Sequence, residues 1–272
     1  MKNIFLLSAF FVFLAKLNAQ NVTQILDGSF IRENNLNKQP ISYTYEAESY
    51  MMWSKRIWRI LDLREKINHP IYYPIDRTNS LRNLVTVIRD GICAGELTAY
   101  EGMSDEFDYA MNSIEACKLG ETLDTLFDDE GKPIPISEPF PTYNIRRYRI
   151  KEDWFFNSKR SAMEARIIGI CPVEEVFDAM GEYKGDRPLF WIYMPELRHT
   201  IASAPAPNPH SDVERRTYDE IFQKRRFSSY VIKEANVYGR KIDSYAQSIN
   251  ALLESKRIKN EIFTFEQDLW EY

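Results

Sequence analysis

Histidines, cysteines and clustered carboxylates are the residues in this sequence whose types could do chemistry. The histidines are His69, His199 and His210, and the cysteines are Cys93, Cys117 and Cys171. The sequence has no H-x-x-x-H pair, no C-x-x-C pair, and neither a G-x-S-x-G nor a Walker-type loop. The short signatures of zinc sites, serine hydrolases and nucleotide-binding loops are therefore absent.

A thiol hydrolase is one arrangement that can still be drawn. It would pair Cys171 with His199 or His210, with Asp212 orienting the imidazole. Such residues need only be close in space, so any chain of this length supplies candidates. The sequence does not favour this hypothesis.

A carboxylate pair flanking a sugar is a second arrangement, built from Asp105, Glu106 and Asp108. With 40 acidic residues in the chain, however, adjacent carboxylates are unavoidable. We therefore predict no catalytic, cofactor-binding or metal-binding residues, and we expect a protein that is not an enzyme and needs no cofactor.

The first residues resemble a secretory signal peptide. A basic start at Lys2 precedes an apolar run over residues 4–14, too short for a membrane span, and Ala19 is a small residue suited to cleavage. We predict a signal peptide over residues 1–19 and an exported chain that does not insert into a membrane. The net charge of −5 argues against nucleic acid as a partner.

The odd number of cysteines leaves two interpretations open. A disulfide between Cys93 and Cys117 suits an exported protein. Three buried thiols acting as small apolar residues are the alternative, which we favour.

The region with the densest apolar and charged residues is residues 53–74, WSKRIWRILDLREKINHPIYYP. Trp53, Ile57, Ile60 and Leu61 fall at helical spacing, which predicts a helix over residues 53–68 that is buried on more than one side. Pro70 then predicts a helix stop, followed by a short strand over residues 71–73.

The rest of the chain predicts a mixture of helices and strands. Helices are expected around residues 81–91, 107–120 and 217–225, the last opened by a capping box at Thr217 and Glu220, and over residues 242–272. Strands are expected in residues 41–45, 92–100, 148–156, 166–173, 187–196 and 227–233.

These elements predict an α/β (α+β) fold of two related helix-strand-helix-strand halves. The predicted divisions are a signal peptide (1–19), an extended N-terminal arm (20–46), a first half (47–127), a proline- and acid-rich linker or long hairpin (128–142), a second half (143–241) and a C-terminal amphipathic helix (242–272). The arm is expected either to lie on its own molecule or to reach a neighbour.

Several long strings resemble the GldN/PorN family of gliding Bacteroidota, and they occur in the family's order from about Val22 onward. They are the stretch 53–74 above, YRIKEDWFF (148–156), RIIGICPV (166–173), RPLFWIYMPE (187–196), RRFSSYVIKEANVYGRKI (225–242) and EIFTFEQDLWEY (261–272).

This resemblance implies a periplasmic subunit of the type IX secretion system, which exports proteins and supports gliding motility. It implies a ring of this chain with an outer-membrane lipoprotein of the GldK/PorK kind, contact with other components of the system, and no known catalytic residues. The alternatives are a secreted glycan or peptidoglycan hydrolase and a peptidoglycan-binding module.

A ring requires each subunit to offer two different faces to its neighbours. We therefore expect the arm before Glu46 and the helix after Ile242 to make contacts between chains, with Trp53, Arg56, Trp58 and Arg59 inside the fold. Deleting residues 20–44 is expected to leave a folded protein that fails to assemble, and loss of its circular dichroism spectrum would refute this assignment.

Overall fold

The computed structural model describes residues 37–76, 81–127, 133–138, 140–178, 180–211 and 213–270. The predicted signal peptide lies outside these residues. The strands of the described part, β1 to β11, are Met51–Asp62, Ala99–Glu101, Thr122–Phe127, Pro133–Glu138, Ile145–Asn157, Ala162–Phe177, Tyr183–Pro188, Phe190–Tyr193, Pro205–Ala206, Arg216–Thr217 and Tyr230–Glu234.

The helices of the described part are mostly short. From α1 to α6 they are His69–Tyr72, Leu84–Cys93, Ser113–Lys118, Met194–Ser203, Tyr218–Gln223 and Ile249–Trp270. Among the described residues, no helix is both long enough and apolar enough to cross a membrane. The mixed α/β class and the C-terminal helix are confirmed.

A seven-stranded antiparallel sheet organises the fold, with the order β11-β1-β5-β6-β8-β2 and with β7 paired to β6. The long strands β1, β5 and β6 form its centre. Two small two-stranded sheets, β3 with β4 and β9 with β10, lie off it.

The prediction of a helix over residues 53–68 is wrong, because residues 51–62 form the strand β1. The buried positions of this stretch also alternate as in a strand. Ile57, Arg59 and Leu61 are buried, and each lies opposite a residue of β5 in the antiparallel pairing. β1 is hydrogen-bonded to β5 along one edge and to β11 along the other. A central strand that also buries a charge loses the clean alternation of apolar and polar residues that identifies a strand.

The predicted strand over residues 71–73 is also wrong, because His69–Tyr72 is the helix α1. Pro70 lies in the first turn of this helix, where the missing proline N–H costs nothing and its fixed φ angle suits the helix. The prediction treated Pro70 as the end of one element, whereas it lies at the start of the next.

Other boundaries differ in smaller ways. Helix α2 starts after Asn83, whose side chain accepts a hydrogen bond from the backbone of Thr86 at 3.0 Å, and Gly91 lies inside the helix instead of capping it. The strand predicted over residues 92–100 shortens to β2, and the helix predicted around residues 107–120 shortens to α3. Residues 41–45, predicted as an edge strand, belong to no strand.

The predicted strands near residues 148–156, 166–173, 187–196 and 227–233 are confirmed as β5, β6, β8 and β11. The capping box is confirmed at its first residue, since the Thr217 hydroxyl accepts a hydrogen bond from the Glu220 backbone at 3.4 Å at the start of α5. β6 runs past the predicted end of this strand at residue 173 to Phe177, with Pro172 inside it.

Two apolar clusters pack against the sheet. The larger joins β1, β5, β6 and β8 to helices α1, α2, α4 and α5, and it includes Leu61, Tyr148 and Ile150. The smaller contains Ile57, Val231, Ile242, Ile258 and Ile262, so it joins β1 and β11 to the C-terminal helix α6.

The favoured interpretation of three free thiols is wrong, because Cys93 and Cys117 form a disulfide. It links the end of α2 to α3, and the two Cα atoms lie 5.1 Å apart. Cys171 is a buried free thiol in β6. The alternative interpretation therefore describes the protein.

The order of elements differs from the predicted helix-strand-helix-strand halves, since the first expected helix is β1. Strand β1, from the predicted first half, pairs with β5 and β11 of the predicted second half. The region predicted as a linker or long hairpin contains β4, which pairs with the preceding β3. An internal duplication stays a prediction, as do the domain boundaries.

Candidate interaction surfaces

Cys171, the proposed nucleophile of the thiol hydrolase hypothesis, lies inside the fold. Cys171 is fully buried, and burial raises the pKa of its thiol to about 12. A reactive cysteine needs a low pKa and access to solvent, so this thiol has the opposite properties. His199 and His210 are exposed, and Asp212 lies outside the described residues.

Of the three clustered carboxylates, Asp105 serves a structural contact. Its side chain accepts a hydrogen bond from the Trp58 indole and lies 3.4 Å from the Lys151 ammonium. Burial acts to raise the pKa of Asp105, but the Trp58 hydrogen bond and the Lys151 charge outweigh it and lower that pKa. Glu106 and Asp108 are exposed. Asp105 alone therefore ties its loop to β1 and β5 of the sheet.

No group of three or more histidine, cysteine, aspartate or glutamate side chains that could hold a metal ion occurs among the described residues. Two surfaces of the described part of the chain involve the arm and the C-terminal helix.

Within the sheet, Arg59 and Glu152 form a buried ion pair. Glu152 has no exposed surface, and its carboxylate accepts hydrogen bonds from Arg59 Nη1 at 3.2 Å, Arg225 Nη2 at 2.7 Å and Trp154 Nε1 at 2.8 Å. Arg59 also donates to Ser229 Oγ at 2.9 Å. Burial lowers the pKa of Arg59, and the Glu152 charge acts against that shift.

Of the residues expected inside the fold, Arg59 is buried and Trp53 and Trp58 are partly buried. Trp53 stacks on Phe265 of α6 with ring centroids 4.9 Å apart. Arg56 lies closer to the surface, with 41% of its side chain exposed, and pairs with Asp153 at 2.7 Å. The four residues therefore range from buried to substantially exposed.

The described part of the arm lies across a groove on its own chain. The Arg198 guanidinium donates to the Ile41 carbonyl at 2.6 Å, and Arg166 donates to the Thr44 carbonyl at 3.3 Å. At the two ends, Lys38 pairs with Glu220, and Glu46 pairs with Arg160. The arm is therefore held along its length by charged side chains of the body.

Tyr43 is the central aromatic residue of this contact. Its ring centroid lies 4.2 Å from the Arg198 guanidinium carbon and 4.6 Å from that of Arg166, distances typical of cation–π contacts. Burial raises the pKa of the Tyr43 hydroxyl, and the Arg198 charge opposes the shift. We call the surface that residues 38–46 contact on the rest of the chain the arm groove.

The C-terminal helix α6 packs one face onto the sheet. Ile258 and Ile262 are buried on this face, and Phe265 stacks on Trp53. Polar groups fix the position of the helix: Ser255 Oγ accepts from the Val231 backbone at 2.8 Å, and Lys259 donates to the Ser229 carbonyl at 2.7 Å.

The opposite face of α6 carries four exposed apolar side chains, interspersed with the exposed polar residues Lys256, Asn260 and Gln267. Ile249, Leu252, Leu253 and Phe263 are 73%, 58%, 58% and 58% exposed. At 3.6 residues per turn, they fall within one stripe about 100° wide. We call this set the outer stripe of α6. Several exposed apolar side chains grouped on one helix face, with polar residues among them, are compatible with a protein–protein contact.

The sequence predicted the C-terminal helix and the arm but not the residues that contact the arm. Arg166, Arg198 and Arg160 lie on β6, on α4 and in the β5–β6 turn, so no short motif joins them. Tyr43 gave no signal of its own among the 16 tyrosines of the chain.

Most of the chain matches a known protein family. Residues 46–271 match the family model described as gliding motility associated protein GldN. This match confirms the resemblance to the GldN/PorN family. A search of curated proteins finds no match.

Proposed function

We propose, from the premise that this chain belongs to the family of gliding motility associated protein GldN, that it is a structural subunit of the type IX secretion and gliding machinery. In this proposal the chain resides in the periplasm and forms a ring together with an outer-membrane lipoprotein of the GldK/PorK kind. The lipoprotein holds the ring at the outer membrane.

The observation that best supports a structural role is the outer stripe of α6. Full burial of an exposed Leu or Phe side chain contributes about 1.5–3 kcal/mol. These four side chains are 58–73% exposed, so more than half of that favourable term remains unused for each of them in the single chain. A neighbouring copy of this chain is the occupant that we propose for the stripe. A ring closes through contacts of this heterologous kind, in which each copy presents two different surfaces.

The test is to isolate the tagged protein from cell envelopes in mild detergent, to size the complex and to identify its companions. We expect a large ring that contains the lipoprotein. A monomer without companions would refute the proposal.

The same preparation tests the stripe with Leu253→Glu and Phe263→Glu. We expect the ring to be lost while the purified variant keeps its unfolding temperature, because both side chains are mostly exposed in the single chain. Met103→Glu is the matched control, since Met103 is 83% exposed and lies outside α6. A ring that survives both stripe substitutions would exclude the stripe as a contact between copies.

A further inference from the structure

The two faces of the central sheet differ in what packs on them. Ile57 and Leu61, which alternate along β1, belong to the two apolar clusters, so the helices of these clusters pack on that side of the sheet. Trp58 and Ile60 lie on the opposite side, because successive residues of a strand point to opposite faces. Both are only partly buried there.

The register of the strands places basic side chains beside these two residues. In the pairing of β1 with β5, Lys151 lies opposite Trp58 and Arg149 lies opposite Ile60. At the other edge of β1, Lys233 of β11 also lies opposite Trp58. We call these five residues the basic face of the sheet.

The chain itself neutralises one cation of the basic face. The Lys151 ammonium lies 3.4 Å from the Asp105 carboxylate, and only 2% of its side chain is exposed. The adjoining basic residue of β5 on this side, Arg147, is neutralised as well, because it pairs with Glu175 at 3.5 Å. Neither of these two cations is left to bind a further anion.

Arg149 and Lys233 differ from these paired cations. No side-chain hydrogen bond or ion pair joins Arg149 to another residue of the described part of the chain, and its Nε atom is buried. Lys233 Nζ lies 4.4 Å from the Trp58 ring centroid, and no described carboxylate pairs with it. A buried guanidinium nitrogen without an acceptor has lost its hydration without compensation. An acceptor supplied by another molecule would therefore bind favourably at Arg149.

The spacing of these two cations fits carboxylates on an extended chain. Strands β11 and β5 are two strand spacings apart, and the two residues are offset by two positions, so their Cα atoms lie about 12 Å from each other. An extended chain advances about 3.3 Å per residue, which separates acidic residues four positions apart by about 13 Å. The residue midway between them points to the same side and would contact Trp58 and Ile60.

We infer that the basic face binds an extended segment of a partner protein in which two acidic residues flank an apolar one, with the two carboxylates on Arg149 and Lys233. A membrane surface fits this site less well, because anionic lipids attract clusters of four or more basic side chains. The inference goes beyond the proposed function, since it concerns a surface other than the outer stripe of α6.

A displayed library of random peptides, selected against the purified protein, tests this chemistry. We expect the enriched peptides to carry two acidic residues four positions apart with an apolar residue midway. In fluorescence polarisation, Arg149→Met should weaken binding of an enriched peptide roughly tenfold, because a hydrogen bond between two charged groups is lost. Arg226→Met is the matched control and should bind like the wild type, since Arg226 is 45% exposed and lies outside the strands.

The stability of Arg149→Met separates binding from a structural role. Methionine keeps an apolar side chain of similar length, and Arg149 has no described partner to lose. We therefore expect a urea midpoint equal to or above that of the wild type. A lowered midpoint would assign Arg149 to the fold and overturn the inference.

Three results of the binding experiments would also overturn it. They are selection of no peptide, enrichment of peptides without acidic residues, and equal binding of an acidic peptide to Arg149→Met and to the wild type. Sedimentation with phosphatidylglycerol vesicles that requires Arg149 would overturn it in favour of a lipid. The envelope ring is measured separately, so none of these results changes the proposed function.

Discussion

The buried carboxylate of Glu152 supports the centre of the sheet, and Glu152→Gln is the most informative single change. The carboxylate is fully buried and accepts hydrogen bonds from Arg59, Arg225 and Trp154. The substitution keeps the size of the side chain and removes its charge. Arg225 is 30% exposed and can turn toward water, whereas only 10% of the Arg59 side chain is exposed.

The expected cost follows from leaving the Arg59 charge buried without its partner. Removing one member of a buried ion pair typically costs about 3–5 kcal/mol of unfolding free energy. For a protein of this size, each kcal/mol changes the unfolding temperature by about 2–4 °C, so we expect a decrease of roughly 6–20 °C.

Urea unfolding followed by circular dichroism measures this cost. Glu214→Gln is the matched control, because Glu214 is 52% exposed and its pair with Arg216 lies at the surface. Surface pairs contribute at most about 1 kcal/mol, so the control should change little. A loss for Glu152→Gln no larger than for the control would refute the reasoning.

The double variant Arg59→Met/Glu152→Leu separates the charge from the shape of the site. Replacing a whole buried ion pair by apolar side chains of similar size is often neutral. We therefore expect the double variant to recover most of the stability that Glu152→Gln loses. A loss equal to the sum of the losses for Arg59→Met and Glu152→Leu, each measured alone, would mean that the pair is not coupled.

Two further predictions concern the disulfide and the buried tyrosines. Replacing Cys93 and Cys117 by Ser should lower the unfolding free energy by about 2–4 kcal/mol, as expected for bridged residues 24 positions apart; a urea midpoint equal to that of the wild type would contradict this. Burial raises the pKa values of Tyr148 and Tyr218, so the folded state keeps protons that the unfolded chain releases above about pH 10, and stability should fall as pH rises beyond that point. Tyr148→Phe should make that fall shallower in urea titrations at pH 8 to 11, and an unchanged pH dependence would argue against the assignment.

Local sequence was sufficient for several elements of this protein. The aromatic and β-branched residues of β5 and β8 pair as strands as predicted, and the Thr217 side chain begins α5 as predicted. The long strings that resemble the family are also local information, and they indicated the family from the sequence alone. Each of these signals depends on residues that are neighbours in the chain.

Tertiary structure decided what local patterns left ambiguous. Residues 51–62 satisfy helical spacing and strand alternation at once, and pairing with β5 and β11 selects the strand because it satisfies the backbone on both edges and gives Arg59 the distant partner Glu152. The Cys93–Cys117 disulfide likewise depends on α2 packing beside α3. Tyr43 becomes an anchor only because Arg166 and Arg198, both more than a hundred residues away, converge on its ring. Such partners are set by how the chain folds back on itself, which the spacing of residues along the sequence does not encode.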